Sequence, residues 1–151
     1  MIAHCQLRPY ARGMSSHQRI STVLQDHGIQ PSAQRVAIAQ YVLHTDRHPN
    51  ADEVLAEVRR AFPMVSRATV YNTLRLFVEK GLLRTCQFEG GVTVYDANVA
   101  RHHHFIDEAS GEIVDLPWEA LDVGRVQELE GLEVDSWMVV LRGRRRGEPQ
   151  G

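Results

Sequence analysis

Apolar positions along residues 16–96 recur at three- and four-residue spacing in successive stretches, and the period then shortens to that of strands. From Ser16 to His27 they are sparse, at Ile20, Val23 and Leu24, and Gly28 stands where a helix C-cap would, which predicts a first helix. Gln30-Pro31-Ser32 opens a second, in which Val36, Ile38, Ala39, Tyr41, Val42 and Leu43 are apolar enough to be mostly buried, and it stops before Asp46-Arg47-His48-Pro49. Asn50 followed by Glu53 fits an N-cap whose glutamate reaches back to free N–H groups. Val54, Leu55, Val58 and Phe62 then form one apolar face, ended by Pro63. Ser66 can cap a further helix carrying Val70, Leu74, Phe77 and Val78, with Gly81 at its far end. Leu82 to Phe88 can run as a strand, Glu89-Gly90-Gly91 is turn chemistry, and Val92 to Tyr95 can return beside it. Three or four helices closed by a β-hairpin make a winged helix.

After residue 97 the pattern changes to His103-His104-Phe105-Ile106, a turn at Glu108-Ala109-Ser110-Gly111, Ile113-Val114, a helix-compatible Trp118 to Glu130, and Val134 to Leu141. The expectation is an α+β chain: an N-terminal winged helix-turn-helix domain, then a small α/β domain with three short strands. The predicted boundaries are a disordered extension over 1–15, a DNA-binding domain over 16–96 with a hinge at its end, a second domain over 97–141, and a basic flexible tail over 142–151.

At 151 residues there is room for two small domains, each burying too little apolar surface to be comfortable alone, so a metal or a dimer partner is a natural supplement. Hydrophobic residues make up 43%, which argues against global disorder. No apolar run reaches membrane-spanning length and the first residues lack a signal-peptide core, so a cytoplasmic protein with no membrane partner is expected. Only Cys5 and Cys86 are present, with no C-x-x-C pair, so any metal must use His and carboxylates. Residues 16–96 carry nine Lys/Arg against eight Asp/Glu, whereas residues 97–151 carry six against eleven. The first part is therefore the better candidate for touching phosphates.

A helix entering the major groove presents small or polar side chains at its N-terminal end and keeps an apolar back. Ser66, Arg67, Thr69, Asn72 and Arg75 can donate to phosphates or base edges, and Asn72 has the paired donor and acceptor that adenine demands. Tyr71 offers a ring for a thymine methyl and a hydroxyl for phosphate. The same stretch also fits a merely solvated helix face. The run His102-His103-His104 is the most unusual local feature: on a strand, His102 and His104 share a side and can chelate one ion, while His103 points away. Carboxylates lie nearby at Asp96, Asp107, Glu108 and Asp115, and His48 is a further candidate. Such a nitrogen and oxygen set suits Fe(II), Mn(II) or Zn(II); a surface His cluster with no ligand is the alternative.

These residues carry a resemblance to the ferric uptake regulator family over residues 20–141. The matching stretches are Gln34-Arg35, His48-Pro49-Asn50-Ala51-Asp52-Glu53, Ser66 to Leu74, Gly81-Leu82, Tyr95-Asp96, His102-x-His104 and Gly111 to Asp115. The resemblance implies a metal-dependent repressor of iron, metal or peroxide-stress genes, acting as a homodimer on a palindromic operator in double-stranded DNA. Arg35 joins Ser66, Arg67, Thr69, Tyr71, Asn72 and Arg75 as implied DNA contacts. The implied regulatory site is His48, Asp96, His102, His104 and Asp115, which takes Fe(II) or Mn(II), with Zn(II) as a further option, between the DNA-binding and dimerisation domains. Many members also hold a structural zinc on two C-x-x-C pairs; here Asp107 and Ser110 stand at the first pair and the second is absent, so no such zinc is expected. A further site on the dimerisation domain would retain only His103 and Asp122, beside Arg101 and Trp137.

Asp115 stands where iron-uptake regulators usually have glutamate, a feature of the peroxide-responsive branch. There an open position on Fe(II) lets peroxide react beside the ligand imidazoles, with His48 and His102 the implied oxidation-sensitive residues. The competing branch is the iron response regulators, which share the absent C-x-x-C pairs and bind haem partly through an N-terminal Cys-Pro; here Gln6 follows Cys5, so that motif is missing. Two readings from other classes are a metal-independent DNA-binding protein and a small metallohydrolase using the same His and Asp cluster. No general base stands out for the latter, and no enzymatic activity is expected.

Overall fold

The computed structural model describes residues 13–88 and 90–147. Cys5, residues 1–12 of the expected extension, Glu89 of the expected turn and residues 148–151 of the expected tail lie outside them. The chain divides into two compact units, Met1–Val99 and Ala100–Gly151, three residues beyond the boundary expected from the sequence.

The first unit holds α1 (Ser16–Asp26), α2 (Ala33–His44), α3 (Ala51–Val58), α4 (Arg67–Glu79), β1 (Arg84–Gln87) and β2 (Thr93–Asp96). Each helix starts on a side-chain cap. Ser15 and Gln18 form a capping box on α1, so Ser15 belongs to the folded unit rather than to the extension. Ser32 caps α2, Asn50 and Glu53 form the box expected on α3, and Ser66 caps α4. Two of the helices end in a Schellman motif. Ile29 N–H donates to Leu24 and Gly28 to Gln25 after α1; Leu82 donates to Phe77 and Gly81 to Val78 after α4. Both turns need a left-handed residue, and Gly28 (φ 70°) and Gly81 (φ 74°) supply it.

Ile20, Leu24, Ile38, Leu43, Leu74 and Phe77 are fully buried and form the centre of the core. Leu82 and Leu83 are drawn into that core beyond the α4 cap, which is why β1 starts at Arg84 rather than at Leu82. α3 ends at Val58, ahead of Pro63, and residues 59–62 continue as tight turns that bring the partly buried Phe62 onto the core. β1 and β2 form the antiparallel hairpin, pairing Arg84 with Asp96 and Gln87 with Thr93. This is the winged helix expected.

The second unit holds β3 (His102–Asp107), β4 (Ile113–Pro117) and β5 (Val140–Gly143) in the order β4-β3-β5. β4 runs antiparallel to β3, whereas β5 runs parallel to it and needs a crossover. That crossover is not the helix expected over Trp118 to Glu130: it contains only the 3₁₀ turns Trp118–Ala120 and Val126–Glu128. Arg125 before the second turn is left-handed (φ 65°), which no continuous helix tolerates, and Trp118 is held sideways in an aromatic stack. The expected tail is also shorter. Arg142 and Gly143 belong to β5, and Arg145 pairs with Glu112 at 2.8 Å.

Candidate functional site

His48 precedes α3 and Asp96 ends β2, far apart in sequence. The hairpin joins them: Tyr95 N–H donates to the Pro49 carbonyl at 2.9 Å, and Asn50 forms a β-bridge with Val94. His48 Nε2 is thereby set 3.5 Å from Asp96 Oδ2, with both side chains 4% exposed. The other Asp96 oxygen accepts the Asn98 N–H at 2.8 Å, which fixes the carboxylate's orientation. Burial pushes the Tyr95 phenol above its ordinary value, with a smaller contribution from Tyr71.

In the second unit the pleat of β3 puts His102 and His104 on one side, and the antiparallel register places Asp115 opposite His104. The two Nε2 atoms are 2.9 Å apart, and Asp115 Oδ1 lies 3.5 Å from the first and 3.6 Å from the second. Both imidazoles are buried. His102 Nδ1 donates to the Ala100 carbonyl at 2.7 Å, so its proton is on Nδ1 and the Nε2 lone pair faces His104 and Asp115. Two nitrogens each about 2.1 Å from one ion at right angles stand about 3 Å apart. The donor set and its spacing therefore fit a first-row divalent ion.

His103 points to the opposite face, as the strand period requires, and is fully buried. Its ring stacks on Trp118 (centroids 4.4 Å) and Trp137 (5.7 Å), and its Nδ1 accepts the Val139 N–H at 3.1 Å. Arg101 lies over the Trp118 ring at 3.9 Å. Asp122 is exposed, and no group of three or more potential ligands among the described residues includes either it or His103. Of the other carboxylates near the His run, Glu108 is exposed and Asp107 is buried, accepting the Ala109 N–H at 2.9 Å within the β3–β4 turn.

The expected DNA-contacting side chains lie on or beside α4, apart from Arg35, which sits in the first turn of α2 and donates to the Gln30 carbonyl at 2.9 Å. Ser66 Oγ is engaged in capping: it accepts the Thr69 N–H at 3.0 Å and bonds the Thr69 hydroxyl at 2.8 Å. Arg67, Tyr71, Asn72 and Arg75 are exposed, with Val70, Thr73, Leu74 and Phe77 buried behind them. Arg75 pairs with Glu79 one turn on at 3.6 Å. Sequence reasoning missed Asp52, on α3, which ion-pairs with Arg67 at 2.8 Å and accepts the Tyr71 hydroxyl at 3.3 Å. No periodicity links α3 to α4, so nothing short of the fold could have exposed that contact.

Among the described residues no helix is long and apolar enough to cross a membrane. Residues 26–139 match the ferric uptake regulator family. The chain is 36% identical over 99 residues to the peroxide operon regulator of Bacillus subtilis, a stretch covering 66% of this chain and 68% of that one. It is 35% identical over 99 residues to the peroxide-responsive repressor PerR of Staphylococcus epidermidis, covering 66% of each. The matches thus span about two thirds of the relatives' length. The ferric uptake regulator from Pseudomonas aeruginosa with manganese superposes with a TM-score of 0.63 at 25% identity, over 84% of this chain and 98% of that one. By family match, by identity to two peroxide regulators and by fold, the chain belongs to the ferric uptake regulator family.

Proposed function

We propose that the chain is a metal-dependent transcriptional repressor of the peroxide-responsive kind, a homodimer that binds double-stranded DNA through α4 and its wing. The observation that carries this reading is the convergence of His102, His104 and Asp115, with the proton of His102 held on the far nitrogen. In this reading His48 and Asp96 are the further metal ligands. Fe(II) or Mn(II) suits such a mixture of imidazole and carboxylate, with Zn(II) also compatible. A bound ion would add binding free energy to the folded, DNA-competent form, and the two α4 helices of a dimer would meet half-sites a helical turn apart. The exposed Leu129, Leu132, Met138 and Leu141 of the second unit support a self-association surface.

The peroxide-responsive branch is favoured by the identity to peroxide regulators and by aspartate at position 115. A bound Fe(II) supplies the electron that activates peroxide; the chain's own part is to keep two imidazoles within reach. His48 and His102 are the residues expected to gain oxygen. The test is binding of the metal-stripped chain to a duplex selected from a random library, before and after adding Mn(II) or Fe(II), and again after peroxide. Tight binding should require metal, and peroxide should abolish it in the Fe(II) form while leaving the Mn(II) form intact. The peptide carrying His48 or His102 should then gain one oxygen in mass. Affinity indifferent to chelator would sink the metal-dependent reading, and unmodified histidines would sink the peroxide branch.

A further inference from the structure

We propose that Asp52 is a specificity-determining residue of the DNA-binding face, holding Arg67 and Tyr71 for base edges and disfavouring contact with phosphate alone. The proposal rests on the DNA-binding reading above.

Asp52 lies in the first turn of α3 and reaches across to α4, where one oxygen takes both partners: Arg67 at 2.8 Å and the Tyr71 hydroxyl at 3.3 Å. Arg67 also reaches the Tyr71 hydroxyl at 3.4 Å, and its guanidinium lies 5.7 Å from the ring centroid. The three side chains form one closed network at the N-terminal end of α4. Stability does not account for it. The Asp52 and Arg67 side chains are 58% and 63% exposed, and pairs so exposed contribute at most about 1 kcal/mol. The start of α3 is already capped by the reciprocal Asn50 and Glu53 bonds.

The network places a negative charge on the face that would meet a polyanion. Non-specific binding comes from phosphate attraction, so a carboxylate here weakens it. Base edges and phosphates differ in what they offer this pair. A phosphate presents only acceptors, which satisfy Arg67 but leave Asp52 repelled. A G·C edge in the major groove presents guanine acceptors and the cytosine amine, so an arginine and a neighbouring carboxylate can both be met. Arg67 and Tyr71 are also held before binding, which reduces the ordering cost of a specific contact. Asp52 therefore penalises the wrong DNA more than the right one, the difference that specificity requires.

The full chain loaded with Mn(II) is titrated with its selected duplex and with a scrambled duplex of equal length, at several salt concentrations. Wild type, Asp52→Asn, Arg67→Ala and the double variant are compared. Asp52→Asn is expected to tighten scrambled-duplex binding by about threefold or more and to steepen its salt dependence, because Arg67 becomes free for a phosphate. Affinity for the selected duplex should stay level or fall, so the specific-to-scrambled ratio drops. In the Arg67→Ala background the same change should move that ratio by less than about twofold, because the coupled partner is gone. Thermal midpoints taken alongside establish that each variant is folded. A ratio unchanged by Asp52→Asn, or one that falls equally without Arg67, overturns the proposal. A wild-type chain that selects no sequence overturns the DNA-binding reading itself, and the proposal with it.

Discussion

His102, His103 and His104 are consecutive copies of one side chain with two different roles, and the pleat of β3 decides between them. His102 and His104 face Asp115, while His103 accepts the Val139 N–H and stacks on Trp118 and Trp137. Replacing His103 with alanine orphans a backbone donor and empties a stacked, fully buried position. It should cost about 2–4 kcal/mol, read as a lower thermal midpoint in the presence of chelator. Asp115→Asn should show the opposite pattern, a nearly unchanged midpoint in chelator but Mn(II) affinity down by at least about tenfold, since even outer-shell changes cost that much. Equal effects of the two changes on both readouts would show that the faces are not separate. The side shared by His102 and His104 follows from the strand period alone. The stack around His103 does not, because Trp118 comes from the end of β4 and Trp137 from the approach to β5, contacts that no local pattern encodes.

Among the elements, the helix boundaries were legible because caps are local chemistry: Asn50 with Glu53, Ser66 before α4, and Gly28 and Gly81 after their helices. The crossover was misread for the converse reason. Trp118 to Glu130 has helix-compatible residues, but Trp118 is drawn into the stack with His103 and Arg125 turns left-handed, so tertiary packing overrides weak propensity. The turn between β3 and β4 is organised by Asp107. Its side chain accepts the Ala109 N–H and its carbonyl accepts the Gly111 N–H at 2.7 Å, while Arg145 approaches from beyond β5 at 3.9 Å. Asp107 is 5% exposed. Asp107→Ala is therefore expected to destabilise by about 1–3 kcal/mol through its lost turn bond. Arg145→Gln, which removes a half-exposed cation, should cost less than about 1 kcal/mol. Chemical denaturation in chelator measures both, and a larger loss for Arg145→Gln would mean that the ion pair, rather than the turn bond, closes this corner.

At the scale of the whole molecule, the ligand candidates divide between units: His48 and Asp96 in the first, and His102, His104 and Asp115 in the second. Sequence pattern alone could pair only His102 with His104 and offer Asp96, Asp115 and His48 as nearby candidates; family resemblance singled these three out, and the approach of His48 to Asp96 is a long-range contact of the hairpin that no local pattern encodes. Where DNA binding depends on metal, as in the proposed function, the two binding events are linked. Thermodynamics then requires that whatever factor Mn(II) adds to DNA affinity, DNA adds to Mn(II) affinity. Couplings of this kind usually amount to about 1–3 kcal/mol, or about 5–150-fold. The check is a closed cycle: DNA titrations with and without Mn(II), and Mn(II) titrations with and without the selected duplex, at matched salt and dimer concentration. The two factors should agree, and Asp115→Asn should reduce both together by weakening the hold of the second unit. A large effect of Mn(II) on DNA binding that survives Asp115→Asn would instead assign control to ligands of the first unit, and His48→Ala would then be the variant that removes it.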